Sequence, residues 1–193
     1  MGLSERYDVL DDEACQDVVR YHGKRRTLPL YTKLVAAADV TQTGDDGEYD
    51  PETRAQNLTR VDIIVRRWGD RTVPIIIEIE ETNDIPNHLY GKFLSSATSD
   101  FYYDLVERQA LADDLLFIQI VKPQRGNPLA PPMRRKWRIV EERIRAIPSP
   151  KQGRTCTYYL FYEAGGELVS ESGADFYGVI DGHLLGGGDS VQE

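Results

Sequence analysis

A chain of 193 residues with 40% apolar and 28% charged side chains is long enough to bury roughly 70% of its unfolded surface as one domain, and too polar for a membrane bundle. No apolar stretch approaches a membrane span, Met1-Gly2-Leu3-Ser4-Glu5-Arg6 is neither a signal peptide nor a myristoylation site, and Cys15 and Cys156 lack metal-ligand spacing. A reduced, cytoplasmic protein with no membrane partner is expected. The net charge of −9 argues against nucleic acid only until its distribution is read: six Lys and Arg face twelve Asp and Glu in residues 1–52, fifteen face thirteen in 53–150, and two face seven in 151–193.

In chain order, residues 12–21 read as a helix capped by Asp11 or Asp12, with Val18 and Val19 inward and Gly23 ending it. Residues 28–38 form a helical or extended stretch, and 41–53, with Gly44-Asp45-Asp46-Gly47, a surface loop. Two apolar runs follow, Val61-Asp62-Ile63-Ile64-Val65 and Val73-Pro74-Ile75-Ile76-Ile77-Glu78-Ile79-Glu80, separated by Trp68-Gly69-Asp70-Arg71. They predict adjacent antiparallel strands. Alternation puts Glu78 and Glu80 on one face and Ile79 on the other, so with Asp62 three carboxylates are expected to meet. Such a cluster repels itself unless something positive sits there, and Mg²⁺ is the simplest remedy. The blander reading puts the acids on a solvated rim, paired with Arg66, Arg67 or Arg71. Ile75-Ile76-Ile77, apolar on both faces, speaks against an edge strand.

After Glu80, Thr82-Asn83-Asp84 before Pro86 signals a helix start. Leu89, Phe93 and Ala97 make its buried stripe, and His88 and Lys92 share a face one turn apart. Leu115-Leu116-Phe117-Ile118-Gln119-Ile120-Val121 is the next apolar strand. This order of strand with Asp, strand with Glu-x-Glu, helix and strand resembles the PD-(D/E)XK nuclease core. It looks most like the BamHI-type restriction endonucleases, in which glutamate replaces the motif's lysine.

The resemblance spans about 61–121 and rests on Asp62, Glu78, Glu80, Asn83, and the helix with His88 and Lys92. It implies an α/β, restriction-endonuclease-like fold with a central mixed β-sheet flanked by α-helices. It also implies a Mg²⁺-dependent endonuclease that cleaves double-stranded DNA and acts as a homodimer. Carried over by position, Asp62 and Glu78 would be metal ligands, with the Ile79 carbonyl a further one. Glu80 would stand in the lysine position, as general base or water-positioning acid. No lysine follows Glu78 by two; Lys92 is the candidate to supply that charge from the helix, although an exposed helix lysine is commonly only solvated. Nuclease cores of this type often draw another acid from an upstream helix, and Glu13, Glu48 and Glu52 all remain open.

Residues 122–132, with Pro123, Pro128, Pro131 and Pro132, read as a stiff connector. A helix over about 133–146 follows, with Met133, Trp137, Val140 and Ile144 inward. Arg134, Arg135, Lys136 and Arg138 crowd its first turns against the helix dipole, which suggests either phosphate contact or pairing with the acidic ends. Across residues 122–145 eight basic residues face only Glu141 and Glu142, a local field that can hold DNA on an acidic protein. Residues 155–162 predict a further strand, at an edge or an interface. A flexible acidic end is expected over about 163–193. The whole is read as one domain with its core at about 61–121. A catalytically inactive nucleic-acid-binding or interaction protein on the same core is the alternative. A two-carboxylate sugar hydrolase is disfavoured because Trp68 is the one Trp near the acids.

Overall fold

The computed structural model describes residues 7–11, 34–37, 57–67, 69–80, 86–103, 108–122, 130–149 and 151–186. The helix expected over 12–21, the loop over 41–53, and Glu13, Cys15, Glu48, Glu52, Trp68 and Asn83 lie outside them. In chain order the described elements are β1 (Tyr7–Asp11), β2 (Leu34–Ala37), β3 (Asn57–Val61), β4 (Ile63–Arg67), β5 (Val73–Glu80) and α1 (Pro86–Thr98). Then come β6 (Phe101–Tyr103), β7 (Arg108–Val121), α2 (Pro131–Arg145), β8 (Thr155–Ala164), β9 (Glu167–Val169) and α3 (Phe176–Gly186).

β7 is the spine of a mixed sheet. It runs parallel to β5 on one side and to β8 on the other. β4 adds antiparallel to β5, with Ile63 opposite Ile77, and β1 antiparallel to β4. The first residues of β7 pair instead with β6, which leads through β2 to β3 as an antiparallel flank. β7 is therefore longer than the run from Leu115: its opening residues serve the flank, and their mixed Arg108-Gln109-Ala110 character hides them from a search for apolar strands.

Alternating residues of β4, β5, β7 and β8 feed two cores. On one face Ile64, Ile76, Phe117, Tyr158 and Leu160 pack against Leu89, Phe93 and Ala97 of α1 and Trp137, Val140 and Ile144 of α2. On the other, Ile63, Ile75, Ile77, Leu116, Ile118, Ile120 and Phe161 pack against Phe176, Ile180 and Leu184 of α3. The result is a central mixed sheet with helices on both faces, as expected of an α/β chain. Ile75, Ile76 and Ile77 are almost completely buried, so β5 is an interior strand.

Two expectations need correction. Pro131 and Pro132 do not belong to a connector; they open α2, where proline's missing N–H costs nothing because the first helical donors have no intrahelical partner. The end from residue 163 is not uniformly flexible either. β9 pairs back onto β8, and α3 buries Phe176, Ile180 and Leu184 at four-residue spacing. Its start is capped by Asp175, whose Oδ2 accepts the Gly178 N–H at 2.6 Å. Glycines at 178, 182 and 186 disguise this helix in the sequence.

Candidate active site

The site lies at the carboxyl end of β5, where open α/β sheets commonly bind ligands. Asp62 does not continue a strand: it sits at a bend between β3, which joins the flank, and β4, which joins the main sheet. Because Ile63 is opposite Ile77, the Ile79 N–H points to where residue 61 would have paired had the strand continued. Asp62 Oδ2 takes that bond instead, at 2.7 Å. The Ile79 carbonyl leaves the strand on the same side as its N–H, toward Asp62.

Glu78 is completely buried. Its Oε2 accepts a hydrogen bond from Lys92 Nζ of α1 at 3.2 Å, while its Oε1 receives none. Burial pushes the Glu78 carboxyl up to about 9; Lys92 opposes the shift, and the nearby Asp62 carboxyl adds to it. A second carboxylate beside a buried one disfavours its charged form, so the site lacks positive charge. Glu80, two residues on and partly exposed, is also raised, first by desolvation and then by Asp62, while Lys92 and the exposed His88 oppose the rise. Lys92 is thus more than a solvated helix lysine: its ammonium lies in the field of both glutamates, about a third exposed.

Among the described residues no group of three or more His, Cys, Asp or Glu side chains is placed to hold a metal. The expected triple reduces to the Asp62–Glu78 pair, with Glu80 about 7 Å further along the strand at 3.3 Å per residue. That pair still fits a hard cation. Mg²⁺ keeps several waters and takes one or two carboxylates plus substrate phosphate rather than an all-protein cage. An unsatisfied buried Glu78 oxygen, a facing aspartate and a nearby carbonyl match that donor chemistry. Arg66, Arg67 and Arg71, the cations of the bland reading, belong to the opposite end of the β4–β5 hairpin, roughly 16 Å from Glu78 along the strand. There Arg67 meets Asp114 at 3.7 Å.

The basic helix begins at the same end of the sheet as the acids. β7 ends beside Glu80, where Lys122 N–H donates to the Glu80 carbonyl at 2.8 Å, and the chain must return along α2 to start the parallel strand β8. Arg134 is held by both oxygens of Glu171, at 2.7 and 3.3 Å, and Tyr162 Oη donates to the same carboxylate. The bond from Arg134 is the main cause that keeps the Glu171 carboxyl low. Arg138 meets Glu142 at 3.8 Å, and Lys136 lies 5.3 Å from the Trp137 ring. Pairing with an acidic end therefore accounts for Arg134, while Arg135 is exposed on the same turn.

Glu171 and Glu141 escaped the sequence reading. Glu141 is buried on α2, accepts the Leu160 N–H from the outer edge of β8 at 3.2 Å, and pairs with Arg145 at 2.9 Å. Arg145 Nε donates to the Tyr158 carbonyl on that edge. The four-residue spacing of Glu141 and Arg145 is the signal that was available; for Glu171 the signal was only the acidic character of the segment that holds it. Comparison of the chain with protein-family models, curated proteins and solved structures finds no match to any of them.

Proposed function

We propose that the protein is a Mg²⁺-dependent endonuclease of restriction type that hydrolyses phosphodiester bonds of double-stranded DNA. The observation that carries the reading is the buried Glu78, one oxygen unsatisfied, beside the half-buried Asp62 and under the Lys92 ammonium at the carboxyl end of β5. Asp62 and Glu78 would hold the cation, with the Ile79 carbonyl on the same side. When bound, the cation supplies Lewis-acid polarisation of the phosphate and stabilises the leaving oxygen.

The remaining work falls to side chains. Lys92 holds the positive charge that the motif's lysine would bring and faces the developing negative charge on the phosphate. Glu80, raised by partial burial, is tuned to take the proton of the attacking water as the oxygen–phosphorus bond forms and to release it to solvent afterwards, while the leaving oxygen, stabilised as it departs, takes its proton from water. Arg135, Lys136, Arg138 and, once released from Glu171, Arg134 would track the DNA backbone from the start of α2. A homodimer on a twofold-symmetric site belongs to the same proposal and rests on the resemblance alone.

The Lys92–Glu78 ion pair favours a second reading, an interaction protein in which the lysine merely neutralises a buried acid. Cleavage of mixed double-stranded DNA separates the two. Activity with Mg²⁺ that is lost in chelator and in Asp62→Asn supports the nuclease; DNA binding without cleavage at any divalent ion supports the alternative.

A further inference from the structure

Glu78 and Gln119 are direct register partners on the parallel strands β5 and β7. Adjacent strands lie about 4.8 Å apart, and aligned residues project to the same face. Both side chains are completely buried. Each leaves one complementary atom unsatisfied: Glu78 Oε1 has no donor, and Gln119 Nε2 has no acceptor. An interior amide donor without a partner destabilises the fold, and one whose register partner carries an acceptor in the same condition calls for an explanation.

The orientation of Gln119 is set from behind. Tyr158 Oη donates to Gln119 Oε1 at 2.7 Å. Burial holds the phenol far above its ordinary range, so its proton stays in that bond. The Tyr158 ring is fixed in turn by Phe93 edge-on at 5.4 Å and by Phe117 stacked at 6.2 Å. With its carbonyl oxygen anchored to Tyr158, the Gln119 amide nitrogen is directed away from the phenol. Phe93 follows Lys92 on α1, so one helical segment both clamps the tyrosine and supplies the ammonium of the site.

We propose that Gln119 is a positioning residue for Glu78: its Nε2–H donates to Glu78 Oε1 when the Asp62–Glu78 pair holds a divalent cation, and Tyr158 orients the amide for that bond. The proposal rests on the reading of Asp62 and Glu78 as a metal pair. A carboxylate oxygen has two lone pairs, so Oε1 can face a cation between itself and Asp62 and still accept from Gln119. Partners behind a metal ligand fix its orientation, and their loss weakens metal binding about 10-fold to 100-fold. No positive charge is added, so the donor set stays anionic and the cation is still attracted.

Mn²⁺ affinity, measured by electron paramagnetic resonance on the intact chain, tests this without DNA or turnover. Gln119→Met keeps the length and removes the donor; it should weaken Mn²⁺ about 10-fold to 100-fold. Tyr158→Phe, which loses only a hydroxyl, should weaken Mn²⁺ less, and the double variant should match Gln119→Met, because the tyrosine acts through the amide. A packing role alone would lower the melting temperature of the metal-free variants and leave Mn²⁺ affinity within twofold of wild type, which overturns the proposal. If Gln119→Met fails to fold, Tyr158→Phe decides. If the wild-type chain binds no Mn²⁺, the metal-pair reading fails and this proposal falls with it, whereas unchanged affinity in Gln119→Met beside a wild type that binds Mn²⁺ overturns the proposal alone. In the Mg²⁺-loaded chain the nuclear magnetic resonance scalar coupling across the hydrogen bond from Gln119 Nε2 to the Glu78 carboxyl carbon gives a second readout; its presence supports the contact and its absence overturns it.

Discussion

Glu78 concentrates the tension of the site. It is held by one lysine, faces an aspartate and is shut from water. A carboxyl whose folded pKa is raised from 4.5 to about 9 binds more protons folded than unfolded between those values. Its stabilising contribution is complete below about pH 4.5 and is lost as pH rises toward 9, on the order of 3 kcal/mol by pH 7. Metal-free protein should therefore melt at progressively lower temperature from pH 5 to 9. Glu78→Gln should flatten that trend and melt higher than wild type at pH 8, while its Mg²⁺-dependent cleavage falls by about three orders of magnitude. A steeper pH trend in Glu78→Gln would contradict the assignment. At Lys92 the two readings diverge: Lys92→Met should cut turnover about 100-fold if the ammonium stabilises the reacting phosphate, whereas a purely structural neutraliser would lower the melting temperature and leave any DNA affinity unchanged.

Among elements, those with strong periodicity were legible. β4, β5, α1 and the body of α2 follow from alternation, from Pro86, and from Trp137, Val140 and Ile144 at three- and four-residue spacing. The bend at Asp62 was not, because Val61 to Val65 is continuously apolar apart from Asp62, and only the pairing choice of β3 against β4 splits it. The closeness of Lys92 to Glu78 depends on how α1 crosses β5, which no local pattern encodes. At α2, the acid that meets Arg134 lies 37 residues further on. Arg135→Ala with Lys136→Ala should reduce the slope of log affinity for DNA against log salt by about 1.8, two phosphate contacts at 0.9 each. Glu171→Gln, which frees Arg134, should raise affinity and steepen that slope. Unchanged slopes in both variants would leave α2 with structural pairing alone.

At the scale of the molecule, three layers fix the site from both sides: α1 carries Lys92 over one face, and α3 closes the other under Ile75, Ile77, Ile118 and Phe161. The acidic final segment contains both a structural helix and the carboxylate that binds the basic one, which composition alone concealed. Ile180→Ala should destabilise the fold by about 2–4 kcal/mol by chemical denaturation; a loss under about 0.5 kcal/mol would mean that α3 does not belong to the core. The central claim is that the Asp62–Glu78 pair makes this fold a metal-dependent nuclease. Its most direct test is incubation of the wild-type protein with diverse double-stranded DNA in Mg²⁺ or Mn²⁺, beside Glu78→Gln and a chelator control. Cleavage by wild type with metal, absent from both controls, is the predicted result, and no cleavage by wild type with either ion, together with no metal-dependent rise in melting temperature, would contradict it.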